Sequence, residues 1–249
     1  MLLSFDDKTV LVTGGTRGIG KQIVDDLHSL GAKVLITGTQ LGEIEELNNE
    51  ATKKRYRKKY FQLDLLDPNS LEVFIDNVSK YNKIDGLVNN AGINRLNHIQ
   101  DSSLNDWHDM LDVNLTAPYR LIKSISQKMI ANKFGRIVNI SSIFGVISKE
   151  KRAIYSATKF GIHGLTVGCS NDLARHNILV NSVSPGFVLT DLTKKNLSST
   201  ELSNLELQIP MQRLADVNDI SNVVIFLLSN LNKYLTGQNI VVDGGFTNV

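Results

Sequence analysis

Short apolar, β-branched runs recur along this chain, at residues 9–13, 33–37, 60–63, 86–89, 136–140, 178–183 and 239–242, and longer stretches with helical spacing separate them. This alternation is the rhythm of βαβ units, in which a strand, a crossover helix and the next strand build a parallel sheet. Most of the runs are too uniformly apolar to face water on either side, so helices must cover both faces. The expectation is a single doubly wound α/β domain over residues 1–249 with a seven-stranded parallel sheet.

Between the runs, Ile23, Leu27 and Leu30 mark one buried helical stripe, and Leu71, Phe74, Ile75 and Val78 mark another. Further helices are expected over 104–131, 155–176 and 219–231, with Asp219 as the N-cap of the last and Pro118 kinking or dividing the first. The 249 residues, 42% apolar and 21% charged, suffice for a core without disulfides or structural metal. The single Cys169 excludes a disulfide framework and fits a reducing compartment. His98, His163 and His176 have no partners at metal-ligand spacing, so no metal is expected.

No apolar run approaches the roughly 20 residues of a membrane span. The first seven residues are acidic where a signal peptide would be basic, and a cytoplasmic location is expected. A formal charge of +2, from 27 basic and 25 acidic residues, supplies no global attraction for nucleic acid or anionic lipid. The local basic cluster over 53–59 reads as a solvated helix end and loop before the third strand.

The first run ends in Thr13-Gly14-Gly15-Thr16-Arg17-Gly18-Ile19-Gly20, and an amphipathic stretch follows at once. Glycines there permit a tight turn, let the backbone approach a pyrophosphate and pack helix on strand, while the helix N-terminus aims its N–H groups at the phosphates. The spacing Gly14-x-x-x-Gly18-x-Gly20 departs from G-x-G-x-x-G and resembles the short-chain dehydrogenase/reductase family. The resemblance covers nearly the whole chain. Asn89-Asn90-Ala91-Gly92 follows the fourth run, Asn114 lies in Asp112-Val113-Asn114-Leu115, Tyr155 and Lys159 are four residues apart, and Pro185-Gly186 follows the sixth run. The ending Leu235-Thr236-Gly237-Gln238-Asn239-Ile240-Val241-Val242-Asp243-Gly244-Gly245 is similar to the branch that reduces 3-oxoacyl groups on acyl carrier protein, although many subfamilies share it.

This resemblance implies a catalytic set of Asn114, Ser142, Tyr155 and Lys159. The family's serine lies thirteen residues before its tyrosine, which selects Ser142 over the neighbouring Ser141, the latter a structural hydroxyl pointing the other way. Hydride transfer to a carbonyl builds negative charge on oxygen, which must be stabilised and then protonated. A phenol with an ordinary pKa near 10 is reluctant to do this at neutral pH, so Lys159, helped by the positive ring of oxidised nicotinamide, is expected to lower that of Tyr155. Ser142 would hydrogen-bond the same substrate oxygen. By resemblance, Lys159 also holds the nicotinamide ribose and Asn114 positions a water between that lysine and solvent.

The resemblance further assigns the cofactor contacts to Gly14, Thr16, Arg17, Gly18, Ile19, Gly20, Thr39, Asp64, Leu65, Asn90, Ala91, Gly92, Tyr155, Lys159, Pro185, Gly186, Val188 and Thr190. A carboxylate at the end of the second strand holds the ribose 2′-hydroxyl in NAD enzymes. Here the strand ends Ile36-Thr37-Gly38-Thr39-Gln40, with Gly38 where that acid would stand, and Arg17 matches a basic residue directed at a 2′-phosphate. The expected cofactor is therefore NADP(H).

The expected reaction is reduction of a carbonyl to a secondary alcohol on an acyl-carrier-linked or small-molecule substrate. A sugar or other small alcohol is the alternative, and a non-catalytic cofactor-binding protein is opposed by the complete catalytic set. Relatives dock the acidic carrier protein with basic residues near the site mouth; Lys133 matches one such position, and His176 with Arg175 beside it falls at the other. Lys149, Lys151 and Arg152 lead directly to Tyr155 and place three more cations near that mouth. A homotetramer is expected, the 155–176 helix packing on its symmetry mate, with Leu165, Val167 and Leu173 serving that interface or the core. Residues 189–207 are expected to close over the substrate.

Overall fold

A computed structural model of the chain describes residues 3–190, 193 and 198–249. Its seven strands are β1 (Thr9–Val12), β2 (Lys33–Gly38), β3 (Lys58–Gln62), β4 (Gly86–Asn89), β5 (Gly135–Ile140), β6 (Ile178–Pro185) and β7 (Asn239–Val242), all parallel in the order β3-β2-β1-β4-β5-β6-β7. The helices are α1 (Gly18–Ser29), α2 (Leu41–Lys53), α3 (Pro68–Ser79), α4 (Leu104–Leu111), α5 (Ala117–Asn132), α6 (Ala153–Leu173), α7 (Ser199–Glu206) and α8 (Val217–Leu228). Side chains alternate along each strand, and this divides the core in two. Val10, Val12, Val34, Ile36, Val88 and Val138 pack under α1 and α8 through Ile23, Leu27, Ile220 and Val224. Leu11, Leu35, Leu87, Ile137 and Val180 face the other way, onto Phe74, Leu121, Ile125 and Met129 of α3 and α5. The doubly wound architecture expected from the alternation is the one observed.

Strand order reverses between β1 and β4, so the chain leaves these two adjacent strands in opposite directions and opens a crevice at their carboxyl ends. Ligands of such sheets bind at this switch point. Pro118 divides the expected 104–131 helix. Between α4 and α5 the residues Asp112–Thr116 form a π-helical turn, with Pro118 in the first turn of α5, the kind of local widening that marks functional positions.

Three local expectations are corrected. Lys58 and Lys59 belong to β3 rather than to a solvated loop. The Lys58 ammonium, only 9% exposed, pairs with Asp25 of α1 at 2.7 Å, and the Arg57 guanidinium donates to the backbone carbonyls of Asp6 and Gly31. The rest of the cluster, the helix end and loop at residues 53–57, is exposed as expected. The cap of α8 is Asp216, with Asp219 as the reciprocal partner three residues on in a capping box. Helix α6 begins at Ala153 and gives way at Ala174–His176 to a short 3₁₀ turn, which leaves Tyr155 inside its first turn.

Candidate active site

The glycine turn is held from beneath. The Asn90 side-chain amide donates to the carbonyls of Thr13 and Gly14 at 2.9 and 3.0 Å, and the Thr13 hydroxyl accepts from the backbone N–H groups of Asn90 and Ala91. Gly14 N–H donates to the Thr37 hydroxyl of β2. Three strands thus fix one turn. A Cβ on Gly20 would fall on the Gly14 carbonyl oxygen, so only glycine lets α1 start this close to β1. Arg17 occupies the N-cap position of α1 with no side-chain cap, which leaves first-turn N–H groups of Gly18, Ile19 and Gly20 directed out of the helix. An uncapped helix N-terminus at the switch point is an anion cradle.

The other expected cofactor contacts surround it. Gly38 is buried at the end of β2, and a Cβ there would lie 2.6 Å from Cγ2 of Thr16. The space that would admit a carboxylate is thus taken by Thr16. Arg17 and Thr39 are exposed on the same rim, and Arg17 forms no ion pair with a described residue. Asp64 opens the way to α3 by accepting the Leu66 N–H, while Leu65 packs on the second core. Ala91 and Gly92 continue from the Asn90 clamp, with Gly92 beside Asn114 and the Lys159 ammonium. On the far rim, Gly186 follows Pro185 and donates its N–H to Val242, Val188 bridges to Ala215, and Thr190 approaches Gly18. The Thr190 hydroxyl accepts the Thr193 N–H. The expected 189–207 cover lies in part outside the described residues, namely at 191, 192 and 194–197.

The four expected catalytic residues converge at the carboxyl end of β5. Lys159 is buried and donates from Nζ to the Ile140 carbonyl at 2.9 Å. Ser141 turns toward α6 and donates to the Lys159 carbonyl, locking helix to strand, as its structural reading requires. Ser142 faces the phenol instead, with the ammonium of Lys159 5.6 Å from the centre of the Tyr155 ring. Asn114 is buried in the π turn, where its side chain accepts the Ile93 N–H and donates to the Ile93 carbonyl and the Thr158 hydroxyl. It thereby staples the segment after Gly92 to α6.

Electrostatics describe the site before any cofactor binds. Burial pushes the Tyr155 phenol above its ordinary pKa, against the opposing pull of the Ser142 hydroxyl and the Arg152 guanidinium. Burial also pulls Lys159 down to about 8. Desolvation disfavours both charged forms, so without a bound cofactor the lysine does not lower the phenol.

Two further sets of residues escaped the sequence reading. Phe144, Phe187 and Phe246 stand edge to face in succession from Tyr155, at centroid separations of 6.4, 6.4 and 5.1 Å, and form an aromatic wall that leads away from the phenol. A buried relay, Asn89 to Asn139 to Thr166, joins β4, β5 and α6 at 2.8 and 2.9 Å. Asparagine in each of two neighbouring apolar strands was the available signal. Lys133 and Arg175 also depart from expectation. The segments that carry them are joined by the bond from the Asn177 amide to the Lys133 carbonyl, at the amino end of β5. Six residues of strand, about 20 Å, separate them from the Ser142 end of the same protomer.

A switch-point crevice that carries an anion cradle beside buried proton-handling groups defines an oxidoreductase that works with a dinucleotide. The family profile described as enoyl-(acyl carrier protein) reductase matches residues 14–247. The chain is 40% identical over 250 residues to the 3-oxoacyl-[acyl-carrier-protein] reductase FabG of Aquifex aeolicus, covering 98% of this chain and 99% of that one. Against the same reductase of Escherichia coli the identity is 34% over 244 residues, with 98% of each chain covered. A gluconate 5-dehydrogenase from Burkholderia cenocepacia, solved with NADP and tartrate, superposes with a TM-score of 0.91 at 29% identity, over 99% of this chain and 97% of that one. The chain belongs to the short-chain dehydrogenase/reductase family.

Proposed function

We infer that this protein is an NADPH-dependent reductase that converts the ketone of a 3-oxoacyl chain, carried as a thioester on acyl carrier protein, to a secondary alcohol. The observation that carries the reaction is the convergence of Ser142, Tyr155 and Lys159 on one point beside the cradle. The full-length likeness to two 3-oxoacyl-[acyl-carrier-protein] reductases supports the substrate. Bound NADPH would supply the hydride. Gly14 to Gly20 would receive the pyrophosphate and Arg17 and Thr39 the 2′-phosphate, in keeping with the absence of an acid at Gly38.

At the other end of the site Ser142 hydrogen-bonds the carbonyl oxygen as charge builds on it, and Tyr155 gives that oxygen its proton. Burial keeps the phenol protonated, so the proton is in place, and its release depends on the positive charge gathered around it. Lys159 steadies the phenolate left behind and replenishes its proton, assisted by the α6 N-terminus against which Tyr155 sits. Asn114 holds the loop at Ile93 that borders the ribose.

Homotetramer formation through α5 and α6 is part of this reading. Leu173 is core and Leu165 packs on it, whereas Phe160 and Val167 are exposed beside Gly164 and Gly168, which have open space before them. Tyr119 of α5 extends that apolar face. In such an assembly the Lys133 and Arg175 patch of one protomer is free to serve a neighbour's site. The described part of the 189–207 segment would close over the substrate, with the capping box of α7 anchoring its far end.

Loss of reduced-nicotinamide absorbance tests the reading, using an acetoacetyl group on acyl carrier protein against 5-ketogluconate. Fast turnover of the first and none of the second is expected. The reverse result establishes the sugar-acid reading instead, which the likeness to the gluconate 5-dehydrogenase keeps in view.

A further inference from the structure

Of the three cations that precede Tyr155, Lys149 and Lys151 are exposed, and Arg152 is turned inward. Its backbone forms the N-cap of α6, with its carbonyl accepting the Ser156 N–H at 2.7 Å, so the side chain starts from a fixed point. The guanidinium carbon lies 4.7 Å from the centre of the Phe144 ring and 6.0 Å from that of Tyr155. The aromatic face supports the flat cation on one side. Among the described residues the guanidinium has no ion-pair or hydrogen-bond partner, although every other half-buried or buried arginine has one: Arg95 holds Asp106 and Asp109, Arg120 holds Glu72, and Arg136 donates to three backbone carbonyls. A planar group with five donors, partly desolvated and unspent beside the reacting phenol, is built to meet an acceptor that arrives with the substrate.

We propose that Arg152 is a specificity-determining residue that donates to a second substrate oxygen next to the ketone, so that the site selects 1,3-dicarbonyl compounds over plain ketones. This rests on the reductase reading above and refines its substrate class. Phe144 and Tyr155 fix the guanidinium on the side of the catalytic phenol from which the aromatic wall Phe144, Phe187 and Phe246 extends. A substrate whose ketone oxygen lies between Ser142 and Tyr155 therefore has its neighbouring carbon chain within reach of Arg152. The acceptor is either the thioester carbonyl of a 3-oxoacyl group or the carboxylate of a free 3-oxo acid. The guanidinium serves both, the charged one more strongly.

The experiment compares the unaltered protein with Arg152→Met, which keeps the apolar stem over Phe144, and with Arg152→Lys, which keeps charge without the planar fork. Reduction is measured on three substrates with NADPH: the N-acetylcysteamine thioester of acetoacetate, acetoacetate itself, and 2-heptanone. Arg152→Met is expected to lower kcat/KM on the two dicarbonyls at least tenfold more than on 2-heptanone, with Arg152→Lys recovering part of it. A greater loss on acetoacetate than on the thioester identifies a carboxylate as the preferred acceptor; the opposite order identifies the thioester carbonyl. Equal losses on all three substrates overturn the proposal, since they place Arg152 on Tyr155 rather than on substrate. Calorimetric binding of the 3-hydroxybutyryl thioester in the presence of NADP⁺ separates the two readings. If the unaltered protein reduces no ketone, the reductase reading fails, whereas binding that is as tight in Arg152→Met as in the unaltered protein refutes the role of Arg152 alone.

Discussion

At the scale of single residues the site is governed by desolvation. Tyr155→Phe keeps the ring and removes only the acidic proton, so cofactor affinity should stay within about twofold while turnover falls below a tenth, a barrier increase above about 1.4 kcal/mol. Cofactor titration and steady-state rates on one preparation check both halves. Lys159 carries a cost that pH can expose. Below pH 8 it is charged in the folded and unfolded chain alike and bears its full burial penalty. Between about 8 and 10.5 the folded chain has released a proton that the unfolded chain keeps, so this contribution grows more favourable to folding as pH rises. Lys159→Met should accordingly be more stable than the unaltered protein at pH 7, by roughly 1–3 kcal/mol, with the gap closing toward pH 10. Urea denaturation of both proteins at the two pH values measures it. The same ionisation should make reductive kcat/KM fall above about pH 8, because neutral Lys159 no longer supports the phenolate.

At the scale of elements, the β1 to α1 turn and the end of β2 act as one part. Thr16 fills the place in front of Gly38, so Gly38→Asp alone should drive a Cβ into Thr16 and weaken NADPH and NADH together. Adding Thr16→Ala and Arg17→Ala makes room for the carboxylate and removes the cation. The triple variant should then prefer NADH, because a carboxylate repels the 2′-phosphate and hydrogen-bonds a free hydroxyl. The ratio of kcat/KM for the two cofactors tests this, and an unchanged ratio in the triple variant would exclude Gly38 and Arg17 as the discriminating pair. The π turn between α4 and α5 is a second such part. It turns the buried Asn114 onto Ile93 and Thr158, and thereby binds the loop after β4 to α6.

At the scale of the whole molecule, the distance between the Lys133 and Arg175 patch and the Ser142 end of the same protomer makes docking of a carrier protein a question of assembly. Reversing both residues to Glu should raise KM for a carrier-linked substrate several-fold, spare a small ketoester, and lose its effect in high salt. Equal losses on both substrates would remove the docking role. Light scattering at micromolar concentration should give the mass of four chains, and Val167→Glu on the exposed face of α6 should lower it. Much of this molecule could be read along the chain, because βαβ periodicity, a glycine turn and a Tyr-to-Lys interval of four are local patterns with local physical causes. The seven strands followed from the periodicity, whereas the grouping of Asn114, Ser142, Tyr155 and Lys159 came from the resemblance to the short-chain dehydrogenase/reductase family that these motifs carry. What depended on tertiary structure was environment. Whether Lys58 meets solvent or Asp25, whether Lys159 lowers the phenol or is itself lowered, and whether Arg152 points to water or lies against Phe144 are all set by burial and by neighbours distant in sequence. Such contacts arise only when the sheet closes and its faces are covered, and desolvation then outweighs the Coulombic attraction that sequence spacing alone suggests.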